Sequence, residues 1–205
     1  MLKRPRLATR RQPQQPRARK TWSDIVEAAL LALRSEGPAV TMTRIAEISG
    51  YSIGTVYQYF PDRRALFCEL MHQAAESNAA ALVAGVPKFQ ASSLEVGVRA
   101  LLGPLVAAHA EQRALVAVVL REIVPTLAPH EVEDLGPGFA RLLAQHLEQR
   151  KHELRSCDLE LAATFILQSV EGLLHAAALD RPEMLDTEVF LDELVALVFG
   201  YMAPR

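Results

Sequence analysis

Residues 41–66, TMTRIAEISGYSIGTVYQYFPDRRAL, carry a start or stop signal for a helix at nearly every turn, and few folds satisfy that punctuation. Thr41 is placed to cap a helix whose inward residues are Met42, Ile45, Ala46 and Ser49, and Gly50 can supply the positive φ that ends it. Ser52 then caps a second helix, in which Val56, Tyr59 and Phe60 fall three and four residues apart on the inner side. Pro61 stops that helix and Asp62 caps the next. The spacing predicts two short helices joined by a tight turn with a third following at once, the layout of a helix-turn-helix that presents one helix to a DNA groove.

This geometry leaves Gly54, Thr55, Tyr57 and Gln58 facing outward or sideways, with the small Gly54 allowing close approach. The segment resembles the amino-terminal signature of the tetracycline-repressor (TetR) family. The resemblance rests on Ile45-Ala46, Gly50, the run Gly54-Thr55-Val56-Tyr57-Gln58-Tyr59-Phe60, Arg63 and Ala65-Leu66. Two positions depart from the family's habit. Gln58 stands where His or Tyr is frequent, and Ile53 stands where Lys or another polar residue is frequent. An isoleucine can touch a thymine methyl but cannot hydrogen-bond a base edge. Phosphate positioning is expected from Thr41, Thr43, Arg44, Tyr59 and Arg63, and groove contact from Ser52, Ile53, Gly54, Thr55, Tyr57 and Gln58. Trp22 is expected to anchor a first helix whose apolar set Ile25, Ala28, Ala29, Ala32 and Leu33 braces the reader.

Charge divides the chain in the same place. Residues 1–64 hold 12 of the 22 Lys and Arg but 5 of the 24 Asp and Glu, so a basic amino-terminal third is joined to an acidic remainder. Phosphate binding at one end, with the body repelled from DNA beyond the contact zone, is the natural consequence of that polarity. Eight of the cations, Lys3, Arg4, Arg6, Arg10, Arg11, Arg17, Arg19 and Lys20, lie before the first acid, Asp24, among Pro5, Pro13 and Pro16. Residues 1–20 therefore read as a disordered basic arm, either one that reaches along phosphates or into a minor groove or a mobile tail with no specific role, and 21–66 as the reader; for 67–205 the family resemblance implies a helical ligand-sensing and dimerisation domain. Uncharged apolar runs such as 100–110 are too short for a bilayer, and no secretory signal pattern follows the arm, which points to a cytoplasmic protein without membrane partners. Cys68 and Cys157 match no paired metal spacing and read as reduced, structural thiols.

Beyond Asp62 the periodicity is helical throughout, giving an all-α fold. Helices are expected over 63–84, ended by Gly85 and Pro87; over 93–109, kinked at Gly103-Pro104; over 112–123; over about 130–152; and over 158–179 and 187–202, separated by Arg181-Pro182. The last two are apolar on more than one face, with Leu161, Phe165, Val170, Leu173 and Leu174 in one and Val189, Phe190, Leu194, Leu197, Val198 and Tyr201 in the other. Such excess apolar area suits either full burial or a subunit interface. The family resemblance implies the interface: a homodimer through residues 158–202, with Gly172 and Ala176–Ala178 suited to close helix approach.

No nucleophile elbow, phosphate-cradling loop or HExxH is present, so neither a catalytic site nor a cofactor is expected. Of the six histidines, His146 and His152 are six apart and cannot share a helix face, whereas Glu171 and His175, four apart, can. Two ligands are too few for a metal, and none is expected. The resemblance implies instead a small-molecule effector in a cavity among the central helices, with His109, Phe139, Phe165, Gln168 and His175 as candidate lining and a mostly apolar ligand. The expected function is a transcriptional regulator, repressing until a ligand releases it from double-stranded operator DNA. The alternatives are a sequence-tolerant architectural DNA binder and a helical enzyme.

Overall fold

Several helix starts in this chain are fixed by side-chain caps, and helix lengths by which glycines and prolines the packing tolerates. The computed structural model describes residues 13–126 and 137–204, and among them it holds eight α-helices and no strand. Helix α1 spans Pro16–Glu36, with Pro16 at its first turn and Gly37 closing it at φ 79°. Residues 16–20, expected in the arm, are thus the start of α1. A Lys20–Asp24 pair at 2.8 Å, one turn apart, and a proline whose fixed φ suits the first helical position explain why. Of the rest of the arm, residues 1–12 lie outside the described residues.

Helix α2 is Met42–Ser49, begun by Thr41, whose hydroxyl accepts from the Arg44 N–H at 3.2 Å, and ended by Gly50 at φ 73°. Helix α3 is Ile53–Tyr59, begun by the Ser52 hydroxyl accepting from the Thr55 N–H at 3.1 Å. Helix α4 is Arg63–Ala91, and the Asp62 carboxylate accepts from the Ala65 N–H at 2.7 Å. Each cap agrees with the sequence expectation, and such a bond contributes about 1 kcal/mol.

The later helices differ from expectation. Helix α4 does not end at Gly85 but runs through it and Pro87, and helix α5, Leu94–Val118, is continuous where the sequence suggests a break near residues 110–111. It then widens into a π-helical turn at Val119–Ile123 and tightens into a 3₁₀ turn at Val124–Thr126. Helix α6 is Pro137–Glu148, shorter than the 130–152 expected; residues 130–136 lie outside the described residues, and a 3₁₀ turn at Lys151–Glu153 takes the other end. Helix α7, Leu159–Asp180, is capped by Asp158, and helix α8, Glu188–Met202, by Thr187.

The reason Gly85 does not terminate α4 is a close crossing with α5. A methyl group built at Gly85 would lie 2.6 Å from the Ala100 carbonyl oxygen, and one at Gly97 would lie 2.9 Å from both the Cα and the carbonyl oxygen of Phe89. Each helix therefore presents a glycine to the other's backbone, and the contact outweighs glycine's cost of about 1 kcal/mol inside a helix.

The described residues fall into two compact units. One joins residues 13–74 to 114–126, the other 75–113 to 137–204, so α4 and α5 each contribute to both. The first has a core of Trp22, Ile25, Ala29, Leu33, Ile45, Val56, Phe60, Leu66 and Phe67, completed by Leu115, Val118, Val119 and Ile123. Burial of each large side chain contributes about 1.5–3 kcal/mol. The reader's core is therefore finished by residues about fifty positions beyond the motif, a long-range contribution that local patterning does not reveal.

In the second unit Arg150 is buried; its guanidinium donates to Glu153 and to the Phe89 carbonyl. Arg113 ties α5 to the turn at Pro182–Asp186 through Asp186 at 2.6 Å, and Arg155 donates to the Tyr201 carbonyl at 2.7 Å. By length and composition α7 could span a bilayer, even though Glu171 interrupts its apolar run. Its Ala162, Ala163, Ile166, Val170 and Leu174 are instead buried in its unit. Neither cysteine is in a disulfide; Cys68 is buried and Cys157 half-buried.

If the glycine crossing sets the α4–α5 distance, Gly85→Ala and Gly97→Ala each destabilise the chain by about 1–3 kcal/mol despite alanine's better helix propensity. Urea denaturation measures this, and an increase in stability for both would refute the crossing.

Candidate nucleic-acid interface and effector cavity

The reading helix is held from behind by aromatic packing. Phe60 is fully buried with its ring 4.3 Å from that of Trp22, and Tyr59 meets the same indole edge-on at 6.2 Å. Tyr51, in the turn before α3, donates to the Asp24 carboxylate at 2.8 Å. The Lys20 ammonium and this hydroxyl hold the Asp24 carboxyl below the usual aspartate range. With Val56 also buried, one face of α3 is committed inward.

The opposite face is open. Ile53, Gly54, Tyr57 and Gln58 are exposed, at the spacing of one helical stripe, and Tyr57 and Ile53 leave 47% and 39% of their surface uncovered. Thr55 is half-buried and shares a hydrogen bond with the Ser52 hydroxyl at 2.8 Å. Thr41, Thr43 and Arg44 are exposed on α2 and its cap, the Arg44 guanidinium lying 2.7 Å from Glu36 and 2.9 Å from Glu47. Tyr59 is half-buried against Trp22, so little of its ring is turned outward.

Arg63 is placed differently from the expectation. Its guanidinium donates to the Val40 carbonyl at 3.2 Å, to the Pro38 carbonyl and to Glu122, and it stacks 4.5 Å from the Phe67 ring centre. The cation expected at phosphate is thus engaged as a strut between the loop before α2 and the π-helical turn. A family-typical basic residue identifies the position but not its partners, because Glu122 is 59 residues away. Lining an open recess beside Tyr57 are Thr41, Thr43, Arg63 and Glu122.

The second unit holds a cavity of about 70 Å³ with an almost wholly apolar wall. It lies among Leu82, Phe89, Leu102, Phe139, Leu147 and Val170, with His146 beside them. Of the five residues expected to line such a cavity, Phe139 borders it. Phe165 and Gln168 are exposed on the outer side of α7, and His109 and His175 are not part of the wall. Helix α7 is apolar on both sides, so periodicity cannot say which side faces inward. The His146 Nδ1 is buried without a hydrogen-bond partner, which no sequence pattern announces.

Across residues 93–202 the chain matches the model described as "Tetracyclin repressor-like, C-terminal domain", and across 25–70 the model described as "Bacterial regulatory proteins, tetR family". The chain belongs to the TetR family. This TetR-family regulator is also similar in fold to solved structures. A bacterial regulatory protein of the TetR family from Rhodococcus RHA1 is 19% identical with a TM-score of 0.64, covering 90% of this chain and 97% of that one. NalD of Pseudomonas aeruginosa, the secondary repressor of the MexAB-OprM multidrug efflux pump, is 19% identical with a TM-score of 0.60, covering 90% and 97%. SmeT in complex with triclosan is 18% identical with a TM-score of 0.63, covering 90% and 92%. No curated protein matches.

Loss of the Arg63 strut removes charged hydrogen bonds to two carbonyls and a carboxylate. Arg63→Ala is expected to destabilise the first unit by about 1.5–3 kcal/mol, the range for hydrogen bonds to a charged group. Denaturation of the free protein reads this; unchanged stability would leave Arg63 without the structural role.

Proposed function

We propose that this TetR-family regulator is a homodimeric repressor that reads an operator through α3 and leaves it when a small, mostly apolar molecule enters the cavity of the second unit. The observation that carries the reading is the two-faced α3. Its inner side is fixed by Trp22 and Phe60 while Ile53, Gly54, Tyr57 and Gln58 stand exposed together. Such a stripe suits base edges, with Ile53 toward thymine methyls and Gln58 toward a donor–acceptor pair such as adenine's. Phosphate contact falls to Thr41, Thr43, Arg44 and the cations at the start of α1. Arg17, Arg19 and Lys20 are exposed there with no acid in the first turn, an arrangement the helix dipole disfavours and a nearby phosphate would favour.

A repressor role is supported by NalD, and an apolar effector by the triclosan bound to SmeT, both proteins of the same fold. The apolar cavity wall with the lone His146 nitrogen fits a ligand that is largely hydrocarbon or aromatic and carries one hydrogen-bonding group. At about 70 Å³ the space is far below the roughly 300 Å³ of an ordinary ligand pocket, so entry must part the helices around it. That expansion supplies the differential binding that release requires.

Operator selection from random DNA, followed by titration, tests this reading. Tyr57→Ala and Gln58→Ala should alter the preferred sequence, whereas neutralising Arg17 and Arg19 should weaken all sequences and lower the salt slope by about two phosphate contacts. Equal affinity for selected and random DNA at equal salt would replace this reading with the architectural one. A released ligand must bind more weakly in the presence of operator by the same factor that it weakens operator binding.

Dimerisation is supported by a stripe on α7 and α8 that burial within the chain leaves uncovered: Leu161 and Phe165 are each 55% exposed, Val189 68% and Leu197 49%. Gly172 shares that side, and nothing lies within 4 Å of where its side chain would begin. Gly172→Leu and Phe165→Asp should therefore leave helix content and folding intact while giving monomers by sedimentation. A dimer unaffected by both would place the interface elsewhere.

A further inference from the structure

Glu171 and His175 share a helix face, but two ligands are too few to hold a metal. The fold adds a third. His109 comes from α5, and its Nε2 lies 3.7 Å from the Glu171 carboxylate, while the His175 Nε2 lies 3.3 Å from the same carboxylate on α7. One ligand atom from each of the three residues falls within 4.8 Å of the others.

The tautomer of His109 decides what this cluster is for. Its Nδ1 is 2.9 Å from the Leu105 carbonyl, which can only accept, so Nδ1 carries the proton. Its Nε2 faces the Glu171 carboxylate, and His109 is 2% exposed. A neutral imidazole held by a carbonyl bond at one nitrogen and open at the other is the form in which histidine binds metals, the carbonyl acting as the outer partner that fixes the ring. A cation bound between the three groups would use that open nitrogen together with the Glu171 carboxylate and the His175 Nε2.

We propose that His109, Glu171 and His175 form a site for a divalent transition metal of the zinc class, with a fourth position left for water or an exogenous ligand. Two imidazoles and one carboxylate favour such ions over magnesium or calcium, which take oxygen ligands. Metal–ligand bonds of about 2.0–2.2 Å in a tetrahedral site put ligand atoms roughly 3.4 Å apart. The two glutamate–histidine distances already bracket that value, and closing the remaining gap requires rotation of Glu171 and His175, whose side chains are 41% and 37% exposed. His109 is the preorganised ligand, and the two α7 residues close on it. The site ties α5 to α7 inside the second unit and does not depend on the DNA-reading proposal.

Equilibrium titration of the full chain, carrying no added histidine tag, with Co²⁺ and Zn²⁺ tests the site. One Co²⁺ per chain should bind with the visible absorption of a four-coordinate ion, and Zn²⁺ should displace it. Glu171→Gln and His175→Ala should each weaken binding by more than the 10–100-fold that loss of an outer partner costs, while the exposed His152→Ala should not. His109 is buried and its substitution can disturb folding, so the two α7 variants, checked by circular dichroism, carry the test. No Co²⁺ binding at micromolar concentrations, or less than tenfold weakening in both α7 variants, overturns the proposal.

Discussion

The aromatic packing that holds the carboxy-terminal end of the reading helix centres on the indole of Trp22. Helix α3 has seven residues, too few to be stable alone, and its one fully buried side chain is Val56. Stability is lent to it by Phe60 and Tyr59 at its end, both packed against Trp22, and by the hydrogen bond from Tyr51 to Asp24 at its start. Of these residues only Tyr59 belongs to α3; Phe60, Trp22, Tyr51 and Asp24 lie outside it. The helix can therefore expose nearly all of its outer face without unfolding.

Much of this is legible in the sequence because it is local. Caps at Thr41, Ser52 and Asp62 and the positive-φ Gly50 act over three or four residues, and each appears at its expected position. Glycine and proline mislead wherever tertiary contact overrides local preference. Gly85 looks like a helix end because glycine is a poor helix former; opposite Ala100 it is what lets α4 pass α5. The fate of Arg63 is equally invisible, since its carboxylate partner lies on a π-helical turn that no periodicity reveals.

The face a helix turns inward is the feature that periodicity leaves most open here. Helix α7 carries apolar residues around its whole circumference, so by sequence Phe165 and Gln168 are as fit for a cavity as Ile166 and Val170. Only neighbours break that symmetry, and they bury Ile166 and Val170 while leaving Phe165 outside. The same limit hides the histidine–glutamate cluster: spacing puts Glu171 and His175 on one face, but nothing in it points to His109, 62 positions before Glu171.

The wide turn at Val119–Ile123 bears on how motion can pass along a helix. A π-helical turn holds one more residue than the α-helical turns before it, so it stores a single residue of slack in an otherwise taut rod. Taking up that slack would rotate the downstream turn by about 100°, one residue's share of an α-helical turn, and carry Glu122 away from Arg63. The Arg63–Glu122 pair opposes that rotation.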